Sequence, residues 1–329
     1  MITTLVGNYP KVAEGAYSTK FMGAMTKWQR KELTDTQLEE TCRDVTKAVI
    51  QEQEQAGLGL LTDGQIRWED LVTPVAKRLE GFEINGLTRW FNNNVYYRRP
   101  ILRNAPVRIG PILVDEYRFA KSCTRKPIKA VLPGPYTFAL VSEDQYYKKL
   151  RPFVMKLAEI VNEEARALAD AGAPLVQFDE PAIGFGLPAG KAGKTDIKLA
   201  IEALNVATRG VKAKTAVYTY FGALDGTLPS LMRANVDIIG VDVVSEPKTL
   251  GALKKVKITK ELALGCMDAR NTKLESVKEL HAIFKIVKPL VPSDRLYLNP
   301  NCGLEFLPHT QALAKVQRLA EAARTFKWN

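Results

Sequence analysis

The chain has 329 residues, 46% of them hydrophobic and 25% charged, with a formal net charge of +11. That balance supports a large core and excludes a disordered chain, and the apolar runs, each under ten residues, are too short to span a bilayer. Lysine and arginine fall in small scattered clusters such as GKAGK, which argues against nucleic acid and leaves a solvated basic surface or a mouth that attracts an anionic ligand.

The opening MITTLVGNYP has no basic segment followed by an apolar one, so the sequence reads as cytoplasmic, and it contains the first β-rich run, ITTLV. Thr34 and Asp35 are suited to cap a helix running to about residue 56, with Leu38, Cys42, Val45 and Val49 at helical spacing. The run LGLLT follows near residue 58. Residues 82–109, rich in aromatics, Asn and Pro, break the pattern and read as a β-hairpin excursion that serves as a lid, an interface or a plain surface insertion. IKAVLP near 128 is the third run, and residues 143–171 read as one long helix ended by Gly172. PLVQF near 174, a helix over 195–209, TAVYTY near 215, VDIIGVD near 236 and LALGC near 262 continue the alternation. A helix over 273–288, the run LYLNP near 296 and a last helix from Thr310 complete it. Eight runs without strict polar alternation, separated by amphipathic helices, predict an α/β fold. Its expected form is one (β/α)8 TIM-type barrel over residues 1–329, with the excursion placed after the second strand.

Chemistry in such a barrel gathers where the strands end. Those positions hold Gly7 and Asn8; Asp63 and Gln65; Gly134; Asp179 and Glu180; Tyr220 and Gly222; Asp242; Asp268 and Arg270; and Asn301 and Cys302. Five acids on one rim repel one another unless a cation binds or Arg67 and Arg270 pair with them, although Asp63 and Asp179 also suit simple helix caps. The four cysteines form no CxxC pair, so no disulfide framework is expected, and Cys302 reads either as a small buried hydrophobe or as a functional thiol. The two histidines restrict any imidazole chemistry to His281, a plain helix position, and His309, at the start of the last helix.

LVGNYP, GPYTF, QFDEPAIGFGLPAG and LNPNCGL, in that order across the chain, resemble the strand-end motifs of cobalamin-independent methionine synthases. The resemblance implies methyl transfer to homocysteine. In that family's two-barrel members, one barrel holds zinc through thiolate, imidazole and carboxylate ligands, and the other has lost the metal. Tyr220 and Gly222 stand where the resemblance implies a His-x-Cys pair, Asp242 where it implies glutamate, and Arg270 where it implies a histidine. Cys302 is kept, so Cys302 and Asp242 are the residual metal candidates, too few for a zinc site. Asp179 matches the carboxylate that holds a substrate ammonium, whereas Asn8 replaces serine and Gln65 replaces glutamate.

Two readings follow. In the first, the chain is a stand-alone version of the non-metal barrel and holds no cofactor itself. A separately encoded zinc-bearing barrel completes the enzyme, and a pterin (folate) or corrinoid methyl donor is held with the help of Asn8, Asp63, Gln65, Asp179, Glu180, Tyr220, Asp242, Asp268 and Arg270. Trp90 and Tyr97 of the excursion then either stack on the donor ring or pack the hairpin. In the second, the chain is itself a homocysteine S-methyltransferase with an altered metal site built from Cys302, Asp242 and Asp268 or His309. A weaker third reading is a repurposed barrel for another acidic small molecule.

Overall fold

The computed structural model describes residues 1–11, 16–89, 96–186 and 194–328. Ten strands run in chain order: β1 Ile2–Thr3, β2 Leu79–Arg89, β3 Tyr96–Arg108, β4 Ala130–Pro133, β5 Glu143–Asp144, β6 Leu175–Asp179, β7 Lys214–Tyr218, β8 Ile238–Asp242, β9 Glu261–Met267 and β10 Leu296–Pro300. Seven form one parallel sheet in the order β1-β10-β9-β8-β7-β6-β4. Every residue of β4, β6, β8 and β10 is buried, as strands covered on both faces require.

The second predicted run does not become a full strand. Leu61 makes a single parallel bridge to Ile128, while Gly59 and Leu60 donate their backbone N–H groups to Thr3 O. Residues 59–61 therefore sit between β1 and β4, where an eighth strand closes a barrel, but the glycine-rich segment makes only these few bonds. The TIM-type expectation holds in this form, with seven paired strands and a one-residue bridge.

The hairpin expected over 82–109 is present, its strands starting at Leu79 and ending at Arg108. β2 and β3 pair antiparallel, with a register break at Gly81, whose φ of +88° only glycine adopts without strain. Trp90 lies outside the described residues. Glu164 anchors the hairpin's end: its buried carboxylate accepts the N–H groups of Ile112 and Leu113 (2.9 and 2.7 Å) and an Arg108 guanidinium N–H at 2.8 Å. A charged side chain is tolerated there because charge-assisted bonds replace its water.

Most helices lie where their caps place them. Thr34 forms a capping box with Gln37 ahead of helix Asp35–Gln55, whose buried stripe includes Cys42, Val45 and Val49. Helix Ile197–Ala207 starts on Asp196, helix Val277–Val287 starts on a Ser276–Glu279 capping box, and the last helix is His309–Thr325. The expected helix over 143–171 is shorter, Leu150–Asp170. Its first residues instead form β5, which pairs with Ile101 and Leu102, and the Asp144 carboxylate takes the N–H groups of Tyr146 and Tyr147 in a local turn that competes with helix. Among the described residues, no helix is long and apolar enough to cross a membrane.

Candidate active site

A cavity of about 310 Å³ opens where the parallel strands end. A larger hollow, about 550 Å³, lies at the opposite end against Met1, Gly57 and Pro174, where barrel ends serve stability more than chemistry. The strand-end cavity is walled by Val6, Leu71, Tyr97, Tyr220 and Phe221, and Met22, Tyr96 and Phe306 stand exposed at its rim. Its polar lining is Asn8, Lys11, Gln65, Glu69, Asp70, Asp179 and Glu305.

Below it a buried polar chain crosses the barrel. Lys129 Nζ donates to Leu5 O (2.5 Å) and to Gln177 Oε1 (2.6 Å), with the Tyr218 ring 4.6 Å away. Gln177 Nε2 donates to Val6 O (2.8 Å) and Asp179 Oδ1 (2.6 Å), and Tyr220 donates its hydroxyl to Asp179 Oδ2 (3.2 Å). Burial pushes the Asp179 carboxyl up and the Lys129 ammonium down, and their mutual attraction opposes both shifts. Tyr220, at 7% exposed, is thereby a fixed wall whose phenol burial raises well above its ordinary value.

Among the described residues, three polar atoms on the lining are shielded from water and have no hydrogen-bond partner: Gln65 Nε2, Asp70 Oδ2 and Glu305 Oε2. Each costs free energy unless a ligand completes it. Gln65 also has φ +49° and Phe221 φ +72°, conformations costly for side-chain-bearing residues, and both line the cavity. Asp70 Oδ1 already accepts the N–H groups of Val72 and Thr73. Burial raises the carboxyls of Asp70 and Glu305 and lowers the Lys11 ammonium, the last against the attraction of Glu305, Asp70 and Glu69.

Other strand-end residues turn to structural work. Glu180 accepts the N–H groups of Tyr136 (2.9 Å) and Thr137 (2.7 Å) and the Thr137 hydroxyl (2.6 Å), closing the start of helix Pro135–Val141, and burial raises it to about 7. Asp63 faces a small crevice with Trp68, Leu113 and Tyr117, not the cavity, and burial raises it to about 6. Arg67 binds Glu39 at 2.7 Å instead of a rim acid. Asp268 Oδ1 accepts the N–H of Arg270, whose guanidinium lies 5.5 Å from the Phe221 ring. His309 Nε2 meets Glu52 at 2.7 Å, and His281 meets Ala322 O.

The zinc implied by the resemblance finds no suitable donor set. Asp242 is committed to the N–H groups of Phe221, Val244 and Ser245 and to the Asn301 amide. A Cβ at Gly222 would stand 2.1 Å from Gly184 O, so no ligand side chain fits there without moving backbone. Burial, with Glu305 and Asp242 nearby, raises the Cys302 thiol well above its ordinary range. Among the described residues, no three His, Cys, Asp or Glu side chains are grouped to hold a metal ion.

Sequence reasoning brought Asn8, Gln65, Asp179 and Tyr220 to one place, and the structure keeps them together. It missed Lys11, Glu69, Asp70 and Glu305, which sit beyond the strand ends in loops, and Lys129, a lone lysine inside an apolar run. Only Lys129 carried a signal, since a lysine buried in a strand requires polar partners. Among the described residues, four carboxylates and one lysine line the mouth, whereas the net charge had allowed an anion-attracting one.

Residues 1–325 match the family model described as "Cobalamin-independent synthase, Catalytic domain". A curated relative, the methionine synthase of Saccharolobus solfataricus, is 30% identical over 99% of this chain and 94% of its own length. That of Sulfurisphaera tokodaii is 30% identical over 98% and 91%. Among solved structures, a B12-independent methionine synthase from Shewanella sp. W3-18-1 in complex with selenomethionine superposes with a TM-score of 0.82 at 24% identity, covering 98% of this chain and 96% of that one. These matches correct the expectation of a separately encoded zinc-bearing partner barrel. Relatives matched over nearly their whole length are methionine synthases of this single-barrel extent, and the matching model is that of the catalytic domain.

Two measurements test this geometry. Gly222→Cys should lower stability in urea by about 1–3 kcal/mol, because the new side chain meets backbone; an unchanged midpoint would mean that the Gly184 contact yields freely. Glu180 is raised in the folded state, so folding takes up a proton between its ordinary value and about 7, and stability falls as pH rises through that window. The urea midpoint should therefore drop between pH 5 and 7.5, and Glu180→Gln should flatten the slope; equal slopes contradict the assignment.

Proposed function

The chain belongs to the cobalamin-independent synthase family, and we propose that it methylates homocysteine as a single barrel, with the family's metal position altered. The observation that carries this reading is the cavity's unfilled polar pattern. Gln65 Nε2 is a buried donor without a partner, beside Lys11, and Asp179 is a fixed acceptor on the same lining. An α-amino acid supplies the complement: its carboxylate meets Gln65 and Lys11, and its ammonium meets Asp179. The Gln177 amide and the Tyr220 hydroxyl hold Asp179 in place, so substrate binding need not order it. The side chain then lies against Val6, Leu71 and Phe221, an apolar wall suited to a thiol or thioether. The selenomethionine held by the Shewanella protein of the same fold is a ligand of this chemical type.

With Gly222 closed off and Asp242 already bonded, no step of the reaction is routed here through a metal. What the chain supplies is orientation of the amino acid, exclusion of water by aromatic walls, and buried carboxylates able to take a thiol proton.

Calorimetry on the chain alone should show L-homocysteine binding that Asp179→Asn weakens at least tenfold, about 1.4 kcal/mol. Undiminished binding by that variant, or none by the parent chain, contradicts the reading.

A further inference from the structure

Asp179 can receive an ammonium only as a carboxylate, and much of its surroundings works against that state. It is 3% exposed, and burial raises its carboxyl. Glu180, next in the chain, and Glu305, from the loop after β10, are acids whose charge opposes its ionisation. Tyr218 of β7 and Tyr220 beyond it are phenols raised well above their ordinary value by burial, so they add no positive charge. The cation comes from below. The β4–β6 register pairs Ala130 with Val176 and Pro133 with Asp179, so Lys129 enters the barrel beneath Asp179, on the side away from the mouth. It reaches Asp179 through Gln177, whose Oε1 accepts from the ammonium and whose Nε2 donates to Asp179 Oδ1. A lysine ammonium only donates and Val6 O only accepts, so these two contacts hold the amide one way round, nitrogen toward Asp179. Oδ1 thus meets a donor with no lone pair to offer, and Oδ2 takes the Tyr220 hydroxyl. Both oxygens accept, which is the pattern of a carboxylate and not of a carboxylic acid. The pull of the lysine on Oε1 also polarises the amide and strengthens its N–H toward Asp179.

We propose that Lys129 is a positioning residue for substrate binding: acting through the Gln177 amide, it keeps Asp179 ionised and turned to accept the ammonium of the amino acid. The inference rests on the amino-acid reading above and assigns the charge state of that site to a lysine outside it. Lys129 and Gln177 are buried, and neither lines the cavity. The same two side chains hold Leu5 O and Val6 O, so a purely structural role, bracing the chain just after β1, is the competing account. The two differ in one respect. A brace depends on hydrogen bonds, whereas an ionised Asp179 depends on the positive charge.

The test is calorimetric titration of the whole chain with reduced L-homocysteine at pH 6.5 and pH 8.5, for the parent, Lys129→Met and Lys129→Gln. Without the buried cation Asp179 keeps its proton to higher pH, so the loss of binding is greatest at the lower pH. Each variant is expected to bind about tenfold more weakly than the parent at pH 6.5 and within about threefold of it at pH 8.5; comparison at equal pH cancels the titration of the ligand itself. The glutamine keeps a donor for Leu5 O but no charge, so a brace predicts parent-like binding by Lys129→Gln. A loss equal at the two pH values, or Lys129→Gln matching the parent at pH 6.5, would overturn the proposal while leaving the amino-acid site standing. A second measurement needs neither lysine variant. The infrared difference between the parent and Asp179→Asn at pH 7.5 should show a carboxylate band for Asp179, and a protonated carboxyl there would overturn the proposal. Failure of the parent to bind homocysteine at either pH would remove the amino-acid reading itself.

Discussion

One buried chain of polar contacts, Lys129 to Gln177 to Asp179 to Tyr220, governs what the barrel mouth can do. A lysine at 2% exposure is costly unless its hydrogens are all directed at acceptors, and Leu5 O, Gln177 Oε1 and the Tyr218 ring meet that demand. The same demand fixes the Gln177 amide, which then has a donor left for Asp179. Strands β4 and β6 and the segment after β7 are tied together from inside, and a carboxylate is presented upward at a set angle. The site is thus preorganised by groups that never touch the ligand.

The fold was legible because its causes are local. Caps such as Thr34 with Gln37, and Ser276 with Glu279, lie within one turn of the helices they start. The apolar runs were sufficient to count strands, though not to show that LGLLT makes only one bridge. Residues 143–149 escaped because a helical pattern competes there with a side-chain turn at Asp144, which is settled by pairing with the distant hairpin. The site was legible only at strand ends. Glu180 and Asp63 shared the positional signal of Asp179 but face the barrel wall, and direction at a strand end depends on neighbours that sequence order does not list. Lys11, Asp70 and Glu305 reach the cavity from loops, where no periodicity marks them.

The family relationship and the local chemistry divide the functional question between them. Full-length similarity to methionine synthases favours a single-barrel methyltransferase over a subunit awaiting a second barrel. The residues at the metal position point away from the family's usual activation of the thiol. Gly222 is packed so closely on Gly184 that a side chain does not fit, and Asp242 binds loop amides. Among the described residues, carboxylates outnumber ammonium groups at the mouth, opposite to the sign of the whole chain, so net charge gives no guide to the ligand.

The central claim is that the site works through its own polar groups at a metal position that no longer fits zinc. The most direct measurement is bound zinc, by mass spectrometry, on the chain purified from zinc-supplemented growth and saturated with L-methionine. The account predicts methionine-bound protein with far less than one zinc per chain. About one zinc per chain, lost on Cys302→Ser, would contradict it, since that is the stoichiometry of a site in which the protein's own ligands hold the ion.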